Sequence, residues 1–387
     1  MLDRHRILES FKRTFGVRDA RVFSAPGRVN FIGEHTDYNE GFVLPLGIDR
    51  RTYVAATPRP DRMLRVHAED LGETAMIRLD QSGRGRPRSW ADYVEGTARA
   101  LEDGGLRLRG ADVLVASDVP RGAGLASSAA LEIAAGYAFA SLAGVEPDRL
   151  ALAMAGQRAE HEWVGTKCGL MDQYIAAFGL PGHAVLIDCR TLVGTPVRLE
   201  LGTARVVVVD TRVKHDLATS AYNERRAQCE AGVRVIAERM AGVRALRDVS
   251  LDVLSRVAER LEPVILRRCH HVVSENVRTI EAVEALRRGD LVRAGLLLRA
   301  SHESLRHDFE VSCDELDFVV ERACDHPGVY GARMIGGGFG GCAICLVEAS
   351  DAEDLLDWLR REYERRFARS MSAFVAEPSE GAREEEE

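Results

Sequence analysis

A dense polar stretch, GEHTDYNEG, occupies residues 33–41. Six consecutive side chains in it, from Glu34 to Asn39, can form hydrogen bonds or titrate, and a turn alone does not require such a set. Glu34, His35 and Asp37 offer carboxylate and imidazole groups, which bind metals and act as general acids or bases. The residues alone leave three interpretations open: a metal site, a catalytic centre, or a dense polar turn.

A second candidate site is the glycine-rich stretch PRGAGLASSAALE, residues 120–132. It lies between the strand-like ADVLVASDVP and an Ala-rich helical segment, and that order directs backbone N–H groups at an anion. Ser127 and Ser128 stand where the helix starts, so one of them is predicted to be its N-cap. Taken alone, the stretch fits either a phosphate site or an ordinary capped helix.

A second glycine-rich stretch, GGGFGG at residues 336–341, matches G-x-G-x-x-G, but a strand-like run follows it where a dinucleotide site requires a helix. Its glycines predict instead a loop that lets the backbone approach a ligand or another loop. Cys342 and Cys345 form a C-x-x-C in the following run, and on a strand they point to opposite faces, which argues against a shared metal. The sequence contains no P-loop, protein-kinase or G-x-S-x-G motif.

The elements that must position these stretches suggest an α+β fold, because helices and strands mix without regular βα alternation. The length of 387 residues suggests two domains. We predict an N-terminal domain over residues 1–190 and a C-terminal domain over 191–376. The last residues, 377–387, are acidic and are predicted to form a disordered tail.

Charge and composition exclude several classes of partner. The tail holds six Glu and one Arg, so it carries −5 of the net charge of −8 and leaves only −3 to the rest of the chain. A nearly neutral body argues against nucleic-acid binding. The sequence contains no apolar run of about 18 residues, so no membrane span is predicted. No signal peptide is recognisable either, and we therefore expect a cytoplasmic protein. In that compartment its eight cysteines are expected to be free thiols.

Three motifs in order, GRVNFIGEHTDYNEG, PRGAGLASSAALE and RMIGGGFGGCAI, resemble the three motifs of the GHMP kinase superfamily. The first resembles the galactokinase family in particular, and WADYVEG, AEHEWVGTKCGLMDQY, DTRVKHDLATSAYNERRAQCE and SHESLRHDFEVSCDELD agree with it. The resemblance covers residues 20–350. It implies a two-domain α+β GHMP kinase fold with the active site in the cleft between the domains. It also implies Mg²⁺-dependent transfer of the γ-phosphoryl group of ATP to the C1 hydroxyl of α-D-galactose.

The resemblance assigns roles to individual residues. Asp172 is implied to be the carboxylate beside the attacking hydroxyl, and Arg28 the cation beside it; whether Asp172 accepts the proton or only orients the hydroxyl stays open. The implied sugar-binding residues are Glu34, His35, Asp37, Gly169, Asp172 and Tyr222. From the residue type alone, a half-buried aromatic with a solvated hydroxyl is the favoured interpretation of Tyr222.

The same resemblance implies a nucleotide site. The phosphate-binding residues are Gly122, Ala123, Gly124, Leu125, Ala126, Ser127 and Ser128. Trp90, with Tyr93, resembles residues beside the adenine, although two aromatics three apart also fit the core side of a helix. Mg²⁺, which prefers oxygen ligands and keeps several waters, would be bound by Ser128 and Glu160.

The sequence departs from the family at two positions and leaves rival functions open. Ile335 stands where family members usually have Thr, and Ala126 where many have Ser, from which we expect an altered rate or affinity. The rivals are a non-catalytic galactose sensor and a kinase for N-acetylgalactosamine, galacturonate or arabinose. The expected partners are galactose and ATP, with the chain a monomer or a weak homo-oligomer.

Overall fold

The computed structural model describes residues 2–17, 19–81, 88–213 and 218–386, without the side chains of residues 218 and 219. Residues 214–217, part of the family-like stretch that starts at Asp210, lie outside this range. The strands are β1 (Arg21–Asn30), β2 (Phe42–Val43), β3 (Pro45–Arg59), β4 (Met63–Ala68), β5 (Glu73–Arg78), β6 (Gly110–Ser117), β7 (His183–Asp188), β8 (Val193–Arg198), β9 (Ala204–Asp210), β10 (Val329–Met334), β11 (Cys342–Glu348), β12 (Ser372–Ala376) and β13 (Arg383–Glu384). The helices are α1 (Arg4–Phe15), α2 (Asp92–Asp103), α3 (Ser127–Leu142), α4 (Arg149–Ala159), α5 (Met171–Phe178), α6 (Ala218–Ala237), α7 (Leu251–Val257), α8 (Pro263–Arg287), α9 (Leu291–Ser304), α10 (Asp314–Asp325) and α11 (Ala352–Phe367). This mixture confirms the predicted α+β class.

The N-terminal half is built on a six-stranded sheet in the order β13-β1-β3-β6-β4-β5. Its pairs are antiparallel except for β4 and β6, which run parallel. The Ala-rich α3 packs on β1 and β3 together with α5, and α2 and α4 pack behind it. On the other face, Ile7 and Phe11 of α1 cover the sheet. β1 and α5 are thereby held side by side.

The C-terminal half contains a four-stranded sheet in the order β10-β11-β9-β12, with α8 to α11 around it. Cys345 on β11 belongs to the core of this half, whereas Cys342 on the same strand belongs to a core shared with the N-terminal half. The prediction that these two side chains point to opposite faces is therefore confirmed. All eight cysteines are free thiols.

A shared core joins the two halves beneath the site described below. Val29 of β1 and Leu125 of the glycine-rich loop pack with Val208 of β9 and Ile344 of β11. Ile335 is fully buried in the same core. The lost hydroxyl at this position is thus replaced by apolar packing.

Two predictions about the limits of the domains need correction. The boundary after residue 190 cuts the hairpin of β7 and β8, whose strands pair from Asp188↔Val193 to His183↔Arg198. A boundary after Arg198 leaves this hairpin intact. The acidic tail is not disordered over the residues described: residues 383 and 384 form β13, which pairs with β1. Buried arginine and backbone partners, which composition alone does not reveal, hold it there.

No helix in the described part of the chain is both long enough and apolar enough to cross a membrane.

Candidate active site

A cavity of about 320 Å³ lies between the two halves, where residues of β1, α3 and α5 face residues of α6 and of the loop before β11. It brings together most of the predicted site: Arg28, Glu34, His35, Asp37, Gly122, Gly124, Leu125, Ala126, Ser127, Ser128, Glu160, Gly169, Asp172 and Tyr222. Ala123 does not line this cavity, and Trp90 lines the neighbouring one. The site therefore lies in the cleft that was predicted.

Arg28 and Asp172 form a two-point ion pair on the wall of this cavity. Arg28 follows an irregularity in β1, and Asp172 lies in the first turn of α5. Arg28 Nε donates to Asp172 Oδ1 over 2.9 Å and Nη2 donates to Oδ2 over 2.8 Å. The arginine also donates through Nη1 to the carbonyl of Gly124 over 2.5 Å. One guanidinium thus fixes the carboxylate relative to the glycine-rich loop.

The polar turn after β1 is held by its own side chains. Thr36 Oγ1 donates to the carbonyls of Gly33 and Phe42, and Asn39 Nδ2 donates to the carbonyl of His35. Thr36 and Asn39, which had no predicted role, therefore shape the turn. His35 itself has a φ of 63°, a left-handed conformation that orients its ring toward the cavity.

His35 lines the cavity, and burial keeps its ring neutral. Its Nδ1 lies 2.8 Å from the hydroxyl of Tyr38, whereas Nε2 is buried and has no hydrogen-bond partner among the described residues. Burial, followed by the nearby His271, lowers the pKa of His35 to about 3, although the Gly337 backbone opposes this change. A neutral, unpaired Nε2 suits a ligand hydroxyl, because either tautomer offers it a donor or an acceptor.

Glu34 is almost fully engaged by the protein. Its Oε1 accepts from the backbone N–H of Gly336 over 2.8 Å, and its Oε2 accepts from Asn30 and lies 2.9 Å from Nη2 of Arg333. Burial raises the pKa of Glu34 in spite of Arg333. Each carboxylate oxygen can accept more than one bond, so Oε1 retains capacity for a ligand hydroxyl.

Asp37 enters the cavity only because residue 169 is glycine. A Cβ at Gly169 would lie 2.0 Å from Oδ2 of Asp37. Burial, and then the charge of Asp172, raise the pKa of Asp37 to about 6, while a hydrogen bond from the N–H of Tyr38 opposes the change. Tyr222 closes this side with its ring 5.3 Å from that of His35. Gly169 thus acts by making room, and Tyr222 lines the cavity as a half-buried aromatic, as its residue type alone had indicated.

The glycine-rich loop ends in an unprotected helix N-terminus. The N-cap of α3 is Ala126, with a φ of 58°, and no side chain caps it. The prediction that Ser127 or Ser128 is the N-cap is therefore wrong: both lie inside the helix. The first N–H groups of α3 lack a capping side chain, and such groups bind anions well.

Residues 120–126, the glycine-rich loop before α3, are called the phosphate-type loop below. The loop at residues 336–341, from the C-terminal half, contacts it and braces it. A Cβ at Gly341 would lie 2.9 Å from the carbonyl oxygen of Ala123, and one at Gly336 would lie 2.9 Å from that of Gly124. The close backbone approach predicted for the GGGFGG stretch is confirmed. Ala123 thus contributes to the loop by contacting the brace.

Glu160 and Ser128 provide the oxygen atoms that a divalent cation would need. Glu160 begins a π-helical turn, Glu160–Val164, a feature frequent at functional sites. Burial raises its pKa to about 7; hydrogen bonding from Ser128 opposes this rise, and the charge of Asp172 adds to it. Close by, Glu132 is fully buried with Oε1 unpaired among the described residues. These carboxylates lack a compensating cation, so Mg²⁺ fits the donor set.

No group of three His, Cys, Asp or Glu side chains in the described ranges could hold a metal by itself.

A second cavity of about 250 Å³ adjoins the first and shares Tyr93, Gly122, Ser127 and Ser128 with it. Trp90 lines it, and the indole Nε1 donates to Glu73 over 2.8 Å. α2 begins at Asp92, so only Tyr93 lies on this helix, whereas Trp90 precedes it and packs, half-buried, against the core of the N-terminal half. A largely apolar recess beside the phosphate-type loop is a suitable place for a purine ring.

Sequence reasoning missed several residues of the site. Cys168, Thr166, Met171 and Gly337 line the first cavity, and Arg333 supports it from behind. The glycine stretch was a signal for Gly337. No local signal identified Arg333, because its partner Glu34 is far away in the sequence.

Family models match the chain in three places. A model described as the galactokinase galactose-binding signature matches residues 9–58, the GHMP kinases N terminal domain matches 92–180, and the GHMP kinases C terminal domain matches 282–365. These ranges contain the polar turn, the phosphate-type loop and the bracing loop.

Curated relatives and solved structures agree with these models. The galactokinases of Chloroflexus aggregans (strain MD-66 / DSM 9485) and Roseiflexus sp. (strain RS-1) are 47% and 46% identical to this chain, each over 98% of it and 97% of their own length. The structure of Lactococcus lactis galactokinase complexed with galactose matches with a TM-score of 0.95 at 34% identity, covering 98% of this chain and 99% of that one. Methanococcus jannaschii mevalonate kinase, with a TM-score of 0.65 at 17% identity over 93% of this chain and 99% of its own, shares the fold. The chain therefore belongs to the galactokinase family of the GHMP kinase superfamily.

Proposed function

We propose that this chain is an ATP-dependent galactokinase, which transfers the γ-phosphoryl group of ATP to the C1 hydroxyl of α-D-galactose and releases ADP and galactose 1-phosphate. The observation that carries the proposal is the ion pair of Arg28 and Asp172, placed between the polar turn and the phosphate-type loop. Phosphoryl transfer needs positioning and charge stabilisation more than covalent chemistry by the protein. The carboxylate of Asp172 can position the hydroxyl, and the guanidinium of Arg28 can stabilise the charge.

In the proposed step, the C1 oxygen forms a bond to the γ-phosphorus while the bond to the β–γ bridging oxygen breaks. The hydroxyl proton leaves toward the carboxylate of Asp172, which either accepts it or orients the hydroxyl for attack. Arg28 keeps both carboxylate oxygens in place and, through Gly124, keeps them at a fixed position relative to the phosphates. Its positive charge also favours the negative charge carried by the transferring group.

The sugar hydroxyls would be matched by the polar turn. His35, Glu34 and Asp37 all line the cavity, and each would offer a polar group to a sugar hydroxyl. A site that pairs each hydroxyl rejects analogues lacking one, because a buried polar group is then left without a partner. This supports a hydroxyl-rich substrate of galactose type.

ATP would occupy both cavities, with its phosphates at the N-terminus of α3 and its base beside Trp90. Ser128 and Glu160 would hold Mg²⁺, which neutralises charge on the phosphate oxygens when it is bound.

The Asp172→Asn variant tests the proposed chemistry. We expect turnover to fall by about 10²–10⁴-fold, the contribution typical of a positioned acid or base. Nucleotide affinity, measured by titration calorimetry, should be nearly unchanged because the phosphate-type loop keeps its backbone. The exposed ion-paired Asp252, changed to Asn, serves as the control. Near-normal turnover of Asp172→Asn would refute the carboxylate role.

A panel of galactose, N-acetylgalactosamine, galacturonate and arabinose at equal concentrations tests the substrate. ADP release, measured with a coupled assay, should be greatest with galactose. Equal or faster turnover of another sugar would reassign the substrate. Absence of any galactose-dependent ADP release would favour a sugar sensor over a kinase.

A further inference from the structure

The acidic residues at the end of the chain form a strap that crosses from one half to the other. We define the C-terminal strap as residues 378–385. It leaves β12 of the C-terminal sheet and bridges Ile48 of β3 through Pro378. It then pairs with β1 at Ser24↔Arg383 and Phe23↔Glu384. The strap is therefore an edge strand of the N-terminal sheet supplied from the C-terminal half.

Arg51 anchors the strap from inside the protein. Its side chain is only 4% exposed. Nη1 donates to the carbonyl of Glu380 and Nη2 to that of Gly381, each over 2.8 Å, while Nε donates to Ser24 Oγ over the same distance. A buried guanidinium needs acceptors on all sides, and the strap's backbone supplies two of them. Arg51 and the strap consequently depend on each other.

Three glycines allow the strap to pass at backbone distance. A Cβ at Gly381 would lie 2.2 Å from the carbonyl oxygen of Ala177. A Cβ at Gly179 or at Gly47 would lie 2.8 or 3.0 Å from the carbonyl oxygen of Ser379. A larger residue at Gly381 would therefore push the strap off the N-terminal half without removing any charge.

The C-terminal strap contacts the strand that pairs with β1 beside Arg28, and the helix that carries Asp172. The N–H of Ser379 donates to the carbonyl of Gly47 over 2.8 Å, and Gly47 is the β3 residue opposite Arg28. The N–H of Gly381 donates over 2.8 Å to the carbonyl of Gly179, which ends α5. The first turn of α5 carries Asp172. One segment of eight residues thus bonds to the β3 residue opposite Arg28 and to the residue that ends the helix carrying Asp172.

We infer that the C-terminal strap, anchored by Arg51, positions Arg28 and Asp172 for phosphoryl transfer. Arg51 is a positioning residue, since it acts through the strap and touches neither substrate. A misplacement of about 1 Å in such a pair can lower a rate by about 10²-fold. The inference rests on the proposed roles of Arg28 and Asp172.

The Arg51→Gln variant of the full chain tests this, with Arg198→Gln on the exposed side of β8 as the matched control. Assays are run well below the melting temperature of each variant. We expect kcat to fall about ten- to a hundredfold, KM for ATP to stay within about twofold because the phosphate-type loop is untouched, and backbone hydrogen exchange to speed up in β1 and α5. An unchanged kcat, or a loss that only follows the folded fraction, would overturn the inference.

Gly381→Ala provides a second route if Arg51→Gln does not fold, since it displaces the strap while leaving Arg51 in place. The same fall in kcat with an unchanged KM for ATP is expected, and an unchanged kcat would again refute the inference. The Asp172→Asn variant separates the two proposals. An active Asp172→Asn enzyme rejects the catalytic pair itself, whereas an inactive one combined with a fully active Arg51→Gln enzyme rejects only the strap.

Discussion

At the scale of single residues, we expect the proposed sugar ligand Asp37 to make galactose binding sensitive to pH. Its carboxyl titrates near a pKa of about 6, since burial and Asp172 disfavour the charged form. When ionised it accepts charge-assisted hydrogen bonds from hydroxyls, and when protonated it loses part of that capacity. Galactose affinity should therefore rise as pH increases through about 6.

Titration calorimetry with galactose between pH 5 and 7.5, without nucleotide, measures this change. The Asp37→Asn variant should bind galactose weakly, and its affinity should not change with pH near 6.

The effect of pH on the stability of the protein has the opposite sign to its effect on galactose affinity. Without sugar, the native state retains the Asp37 proton above the ordinary pKa of 3.8, so the Asp37 contribution to stability falls as pH rises from 3.8 to about 6. If the galactose affinity of the Asp37→Asn variant still changes with pH near 6, the titrating group is not Asp37.

At the scale of elements, the polar turn is held by two elements of the other half. Glu275 of α8 accepts from the N–H of Gly33 over 3.0 Å, and Asn276 Oδ1 accepts from the N–H of Phe42 over 2.8 Å. From β10, Arg333 donates to the carbonyls of Asn30 and Phe31 in addition to pairing with Glu34. The polar turn therefore has its shape set by α8 and β10.

Replacing Arg333 with Met should destabilise the protein by about 3–5 kcal/mol, because Glu34 is then a buried carboxylate without its ion partner. Adding Glu34→Gln should recover part of that loss. Urea unfolding of the two single variants and the double variant gives the coupling energy. Arg288→Met, which breaks an exposed pair with Glu284, should cost about 1 kcal/mol or less. Strictly additive effects of the Arg333 and Glu34 changes would contradict the prediction.

Motifs within one element were predictable from sequence, and contacts between elements were not. The strand, loop and helix around Ser128 and the alternation of Cys342 and Cys345 follow from local periodicity. The Arg333–Glu34 pair has no local signature. The acidic tail had the composition of a solvated segment, but its stability comes from Arg51, more than 300 positions earlier.

At the scale of the whole molecule, the nucleotide site is completed by both halves. The phosphate-type loop belongs to the N-terminal half, and the loop at 336–341 that braces it belongs to the C-terminal half. Gly341 is itself fixed by hydrogen bonds with Thr211 and Val213. A displacement of the loop at residues 336–341 should therefore displace the phosphate groups of a bound nucleotide.

Gly341→Ala should weaken ADP binding by about 1–3 kcal/mol, the usual cost of overpacking, which is about five- to 150-fold in Kd. Its φ is +83°, so backbone strain must be separated from the contact with Ala123. Gly242→Ala is the control: its φ is +92°, but nothing lies within 4 Å of the added Cβ. Equal losses of ADP affinity in both variants would show that the contact between the loops has no effect.

Chain order gives the strap a consequence for biosynthesis. Glu385 follows Ser24, its hydrogen-bond partner, by 361 positions, so the ribosome makes β1 long before it makes the strand that covers its edge. Until then the edge of β1 presents unpaired N–H and C=O groups, which can recruit strands from other nascent chains. Until the strap is made, Arg51 also lacks the two carbonyl acceptors that the strap supplies. Premature termination upstream of residue 378 would leave that condition permanent, and such products should be prone to aggregate.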